Sequence, residues 1–278
     1  MILSPDASRV ESRRQRVTFA TPALRPLTLV RDEVDSVPEA TGYFVLRDTF
    51  AAIDAKWDEI FDHLYWLLAL AASHLVGFPI TYIEGPHGSR LQLHGTQRQR
   101  ESTSSSQSLI PLDWPYAVSR FLDSTFDQYV SLHDRLDLKK LIEYYIAMQA
   151  TGTVEIQYLL GSVFMEGLKY SYAHTYKGYE RAKDGRFKQA DGSRYTFAAL
   201  MEEIYKEFGI TQGPLDFVGY RDEVVHEGRF TSPFPLMMEK TDQLKEMIEH
   251  LLLRMLHYDG EYYDRKSRRL VDFKSLTT

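Results

Sequence analysis

Apolar positions follow a helical rhythm over most of this chain. Trp57, Ile60, Phe61, Leu64, Leu67, Leu68 and Ala71 recur three and four residues apart, which predicts a long helix over roughly Thr49–Val76. Gly77 and Pro79 are its expected stop. Two short runs, Ile80–Glu84 and Arg90–His94, flank Gly85-Pro86-His87-Gly88 and predict a β-hairpin. The stretch TQRQRESTSSSQS at 96–108 is polar and Ser-rich, so it reads as loop or linker. From Pro115 onward the pattern is helical again. It predicts helices over Pro115–Leu132, Leu138–Ala150, Thr153–His174, Phe197–Phe208, Pro214–Glu227 and Met238–Leu256. Asp259-Gly260 is a turn, and Tyr262–Tyr263 with Leu270–Phe273 predicts a small terminal hairpin. The first forty residues carry Pro5, Pro22, Pro26 and Pro38 with little periodicity and predict an irregular tail.

The expected fold is therefore mainly α: an antiparallel helical bundle with small β-hairpin additions. Three parts are expected. Residues 1–40 form a basic, largely irregular tail. Residues 41–112 form the long helix, the hairpin and the Ser-rich linker. Residues 113–278 form a helical domain with a short C-terminal hairpin. A chain of 278 residues buries a core without cross-links. Its longest apolar run, Leu64–Ala72, is nine residues against the ~20 that a bilayer requires. No apolar signal-peptide core stands at the N-terminus, so the expected location is the cytoplasm, away from membranes.

Composition narrows the chemistry. The absence of cysteine excludes disulfides, thiolate zinc sites, Fe–S clusters and a cysteine nucleophile. The P-loop, G-x-G-x-x-G, H-E-x-x-H, G-x-S-x-G and EF-hand patterns are all missing. His87 and His94 flank the hairpin turn but lack a clear third ligand, and His63 and His74 read as core-edge histidines, so neither a cofactor nor a metal is expected. The net charge of −6 argues against a generally basic nucleic-acid coat. Two stretches run against that balance. Residues 1–31 hold six arginines (Arg9, Arg13, Arg14, Arg16, Arg25 and Arg31) against Asp6 and Glu11, which suits either a solvated tail or an arm for a polyanion. Residues 169–194 hold Lys169, Lys177, Arg181, Lys183, Arg186, Lys188 and Arg194 against Glu180, Asp184 and Asp191. Tyr170, Tyr172, Tyr176, Tyr179 and Tyr195 interleave with them, five of the 18 tyrosines. Cations with stacking rings suit single-stranded RNA; a solvated loop with tyrosines packed on the bundle is the competing reading.

One segment stands apart: GPLDFVGYRDEVVHEG at 213–228. Pro214 suits a first helical turn and Gly228 a C-terminal cap. At ~100° per residue, Phe217, Val225, Val218 and Leu215 form an apolar arc, with Glu223, Asp216 and Glu227 opposite. Arg221 falls inside that arc, and Asp222 and His226 lie toward its edge. The helix thus aims Arg, Asp and His at a core or an interface, which is costly unless they are paired or functional. Asp222 and His226 are one turn apart, so the carboxylate is placed to orient the imidazole. A satisfied network that fixes helix register is the alternative.

Arg221-Asp222-Glu223-Val224-Val225-His226 matches the R-x(4–6)-H motif of the HEPN superfamily, with a polar residue directly after the arginine. Only one of the nine histidines has an arginine at that spacing upstream. The motif lies near the end of a run of helices, with a long helix after it, as in HEPN domains. The stretches GFPITYIEG, SLIP, KKLIEYYIAMQ and FMEGLKYSYA also resemble large prokaryotic proteins that end in HEPN domains, many linked to phage defence. The likeness covers roughly residues 50–275, with the HEPN part at about 113–258. Those larger relatives carry a long N-terminal domain.

The resemblance implies metal-independent RNA cleavage by a homodimer joined through the motif helix. Catalytic roles fall to Arg221, His226 and Asp222. The 2′-hydroxyl attacks the adjacent phosphate, an imidazole moves protons near neutral pH, and a guanidinium steadies the phosphoryl oxygens. Glu166, on a helix expected to pack near the motif, is placed to pair with Arg221 or to sit exposed. Lys169, Lys177, Arg181, Lys183 and Arg186, with Arg229 just past the motif, are the expected RNA contacts. The expected role is a toxin or anti-phage effector, with RNA and an antitoxin or activator protein as partners. The alternative is a catalytically silent HEPN module that binds a ligand or a protein.

Overall fold

A computed structural model describes residues 15–25, 27–31, 42–46, 56–76, 80–85, 88–93, 107–112, 115–210, 217–227 and 229–277. In chain order the strands and helices are β1 (Gln15–Thr18), β2 (Leu27–Arg31), β3 (Gly42–Leu46), α1 (Lys56–Ala72), β4 (Ile80–Gly85) and β5 (Gly88–Leu93), then α2 (Pro115–Leu136), α3 (Leu138–Ala150) and α4 (Val154–Ser171). They continue with α5 (Phe197–Glu207), α6 (Phe217–Glu227), α7 (Phe234–Met255), β6 (Glu261–Asp264) and β7 (Arg269–Asp272). The protein is mainly helical, with small antiparallel sheets. Among the described residues no helix is long and apolar enough to cross a membrane.

Helix α3 spans the residues its periodicity predicts. Other ends differ for local reasons. Helix α1 stops at Ala72, short of the expected Val76, because Ser73 turns to a left-handed φ of 57°. The Ser73 hydroxyl then meets the Tyr145 hydroxyl at 2.9 Å. Gly77 and Pro79, the expected stop, lie outside the described residues, as do the hairpin-turn residue His87 and His94. Helix α2 runs on to Leu136, where Asp137 at φ 53° makes the break before α3. Helix α4 ends at Ser171 and passes into a π-helical turn, Tyr172–Tyr176. Helix α7 begins at Phe234 rather than Met238, since a proline fits the first helical turn.

The N-terminal region is a correction. Instead of a largely irregular tail, residues 15–46 contain a three-stranded antiparallel sheet in the order β1-β2-β3. Val17 faces Leu29 across β1–β2, and Thr28 faces Val45 across β2–β3, pairings that favour β-branched residues. Phe19, Leu24 and Leu27 are buried in the main core. The Asp123 carboxylate on α2 accepts hydrogen bonds from the backbone of Ala20 and Thr21, which anchors the strand connection to the bundle. Residues 1–14 lie outside the described residues. The hairpins expected at 80–94 and 262–273 are present, with Ile80 paired to Leu93 and Tyr262 to Val271 in register.

Helix α4 is the hub, packed on α3, α5, α6 and α7. Its Gly161 permits the crossing: a Cβ there would lie 2.7 Å from Leu244 of α7 and 2.9 Å from Met148 of α3. Phe164, Met165 and Leu168 continue the same face into a core with Tyr145, Met201, Ile248 and Leu252.

A buried carboxylate joins the outlying pieces. Glu249 of α7 is 2% exposed. Arg265, in the connection between β6 and β7, donates to both its oxygens at 2.6–2.9 Å. Tyr145 donates to it at 2.8 Å and Gln149 at 3.3 Å. Through the Tyr145 hydroxyl the network reaches Ser73 at the end of α1. Removing one partner of such a pair leaves a buried charge uncompensated. Glu249→Ala is expected to destabilise the fold by about 3–5 kcal/mol in urea unfolding. An unchanged midpoint would contradict this role.

His63 is buried, and its ring stacks on His133 at 4.9 Å. Burial, then the nearby His133, pushes its pKa below the ordinary 6.5, against Asp62, Glu59 and Asp134. The folded state therefore resists a proton that the unfolded chain accepts. Stability is full above pH 6.5 and falls as the pH drops below it, with a slope of at most ~1.4 kcal/mol per pH unit per group. His63→Phe is expected to flatten the fall in melting temperature below pH 6.5. An unaltered slope would remove His63 from that dependence.

Candidate functional site

Helix α6 lies against α4, and charged side chains meet between them. Arg221 is neither in the core nor in open water: its side chain is 29% exposed and that of Glu166 34%. Arg221 Nη1 donates to Glu166 Oε1. The second Glu166 oxygen accepts from Lys169, one turn farther along α4. The Lys169 ammonium also lies 4.6 Å from the centroid of the Phe197 ring on α5. Arg221 Nε and Nη2 donate to Asp222 Oδ1 at 3.1 and 2.9 Å. Lys169, Glu166, Arg221 and Asp222 thus alternate in sign along one network. A guanidinium bracketed by two carboxylates is fixed in position, which is what a charge-stabilising group requires.

Asp222 binds its own helix neighbour. One of its oxygens turns to the neighbouring guanidinium, although the spacing still leaves it one turn from His226. His226 occupies the last turn of α6, five residues after Arg221. Its imidazole is outside the described side chains.

The turn after α6 is held on both sides. Glu223, expected on the solvent face, accepts from the Thr231 backbone at 3.2 Å and the Thr231 hydroxyl at 3.0 Å. The Phe230 ring meets Tyr158 of α4 edge-on at 5.3 Å. Arg229 is exposed between these anchors.

The basic segment is a folded loop. Isolated bridges pair Arg181 with Phe187 and Lys188 with Arg194. Most of its charges have local partners. Lys177 pairs with Glu207 at 2.9 Å, Lys188 with Glu180 at 2.5 Å, and Arg186 and Arg194 with Asp184 at 3.4 and 2.6 Å. Arg181 donates to the Gly185 carbonyl at 2.9 Å, and Lys183 is exposed. Lys169 and Lys177 therefore face acids of the bundle, whereas Arg181, Lys183 and Arg186 are exposed, with Arg181 folded back on its own loop.

Four of the five interleaved tyrosines are committed inside. The hydroxyls of Tyr172, Tyr179 and Tyr195 converge on the Glu203 carboxylate of α5 at 3.1, 2.5 and 2.7 Å. Tyr176 donates to Glu207 at 3.1 Å. The Tyr179 and Tyr195 rings stack at 5.2 Å across the loop's two ends. Burial raises the Glu203 pKa, but the three phenol hydrogen bonds and Lys177 outweigh it, so the carboxyl titrates below its usual range. Burial and the carboxylate raise the pKa of Tyr172 and Tyr179, so both stay protonated donors. Sequence reading missed Glu203. Its three donors stand 31, 24 and 8 residues away, and an amphipathic helix gives no sign of such a junction.

Among the described residues no group of three or more His, Asp or Glu side chains is placed to hold a metal. No family model, curated protein or solved structure matches the chain.

Glu203→Ala is expected to release the loop. Trypsin should then cut after Lys183 and Arg186 at least several-fold faster than in the parent, while α7 stays resistant. Unchanged cutting rates would mean that the carboxylate does not hold the loop.

Proposed function

We propose that this chain is a metal-independent endoribonuclease that works as a homodimer, with Arg221 and His226 as the catalytic pair. The observation that carries the reading is the clamped Arg221, held half-buried by Glu166 and Asp222 on the helix that bears His226. In this account the phosphate enters beside Arg221 and competes for its donors. The guanidinium then steadies charge growing on the phosphoryl oxygens. Attack by the 2′-hydroxyl on the adjacent phosphorus forms the new P–O bond. The bond to the 5′-oxygen breaks, one imidazole takes the hydroxyl proton, and another supplies a proton to the leaving oxygen. Each chain brings one motif helix, so a two-fold pair brings both imidazoles. The products are a 2′,3′-cyclic phosphate and a 5′-hydroxyl, and DNA is spared. Such an activity fits a toxin or anti-phage effector kept in check by a partner protein.

The same clamp favours a second reading. Lys169, Glu166, Arg221 and Asp222 balance their own charges, as a register-fixing network or a silent binding module would. Kinetics separates the two. The purified chain should cut single-stranded RNA in excess chelator, leaving the stated ends. His226→Ala and Arg221→Ala should each lower the rate at least about 10²-fold, with both variants still folded at the assay temperature. Wild-type rates in both variants would refute the catalytic assignment and leave the binding module standing.

A further inference from the structure

Of the five tyrosines in the basic stretch, Tyr170 alone is left facing out. It is 42% exposed, whereas Tyr172 is 0% exposed. The hydroxyls of the other four are bound to Glu203 or Glu207. No hydrogen bond holds the Tyr170 hydroxyl among the described residues. Position also distinguishes it. Tyr170 follows Lys169 and stands one turn beyond Glu166, about 6 Å along the helix axis from the residue that clamps Arg221.

Its surroundings have the makings of a stacking site. The Arg181 guanidinium lies over the Tyr170 ring at 5.8 Å, and the Phe187 ring lies tilted beside it at 6.0 Å. His174, itself exposed, sets its ring 5.3 Å from Tyr170 with the two planes 36° apart. The π-helical turn at Tyr172–Tyr176 favours this arrangement. A wider turn brings residues i and i+4 more nearly into line, and Tyr172 and Tyr176, also four apart, meet at 5.5 Å with their planes 20° apart. Such turns recur at functional positions. The Glu203 junction holds the loop that carries Arg181, so the cation is kept against the ring.

We propose that Tyr170, His174 and Arg181 form a subsite for an unstacked base of single-stranded RNA, next to the phosphate that meets Arg221. The base stacks on the exposed part of the phenol ring that the guanidinium leaves open. His174 offers a ring nitrogen to the base edge, and Lys169 lies beside the adjoining phosphate. Every base has a π-face, so the subsite tolerates any sequence and selects for single strands. This inference rests on the ribonuclease reading above, but stacking is a binding property and is measured without cleavage.

The test uses a short 2′-O-methyl oligoadenylate, which lacks the attacking hydroxyl, and the same backbone with abasic sites throughout. Fluorescence anisotropy with the full chain should show Tyr170→Ala weakening the oligoadenylate about tenfold. Tyr170→Phe should bind as the parent does, since the ring remains and its melting curve checks the fold. The salt dependence should not change, because no charge is removed. On the abasic backbone Tyr170→Ala and the parent should bind alike. Equal binding of the oligoadenylate by Tyr170→Ala and the parent would overturn the subsite. So would an equal loss on both oligomers, which would mark a general structural effect. If the subsite fails while His226-dependent cleavage persists, the ribonuclease reading stands without it. If the chain binds neither oligomer and cuts no RNA, both fall together.

Discussion

Glu249 is a carboxylate with 2% of its surface exposed, placed where separate parts of the chain have to agree. A carboxylate buried there without donors is costly, and the donors come from far away. Arg265 supplies three bonds from the terminal hairpin, and Tyr145 and Gln149 supply theirs from α3. Ser73, where α1 turns, is tied in through the Tyr145 hydroxyl. Misplacing α3 or the hairpin strands a buried charge, and α1 is tied in one bond farther on, so the network links the packing of α1, α3, α7 and the hairpin. Helix α4 is thereby set in its place, and with it the surface that carries Glu166.

The same device appears twice more at smaller scale, each time nearer the surface. Glu203 gathers three tyrosine hydroxyls and fixes the basic loop to α5. Glu166 gathers Lys169 and Arg221 and fixes α6 to α4. As exposure increases, these junctions pass from specifying the core to positioning cations. The gradient is physically reasonable: a fully buried carboxylate holds structure at high cost if broken, whereas a half-exposed one can release a guanidinium to a competing phosphate.

Much of this was legible in the order of residues, and the limits have physical causes. The periodicity around Leu138–Ala150 gave the bounds of α3 because a helix is written in neighbouring residues. The pattern around Arg221 placed that side chain toward the interior of its helix, and the structure puts it between α6 and α4. Strands β1 and β2 were hidden by prolines and by pairing between residues that local periodicity does not connect, such as Gln15 with Arg31. Glu166 lies 55 residues from Arg221, so its partnership was open until the helices were packed. The tyrosines were visible, but only their partners on α5 separate the four that build the loop from the one that faces out.

The central claim is that a clamped Arg221 and His226 form half of a composite site for RNA phosphate. The most direct measurement is an experimental structure of the assembly bound to RNA with a single 2′-deoxy nucleotide at the scissile position. The account predicts a two-fold pair in which the scissile phosphate touches Arg221, and the His226 side chains of both chains converge on it. A phosphate bound elsewhere, with Arg221 still shared between Glu166 and Asp222 and the two His226 side chains on separate faces of the particle, would contradict it.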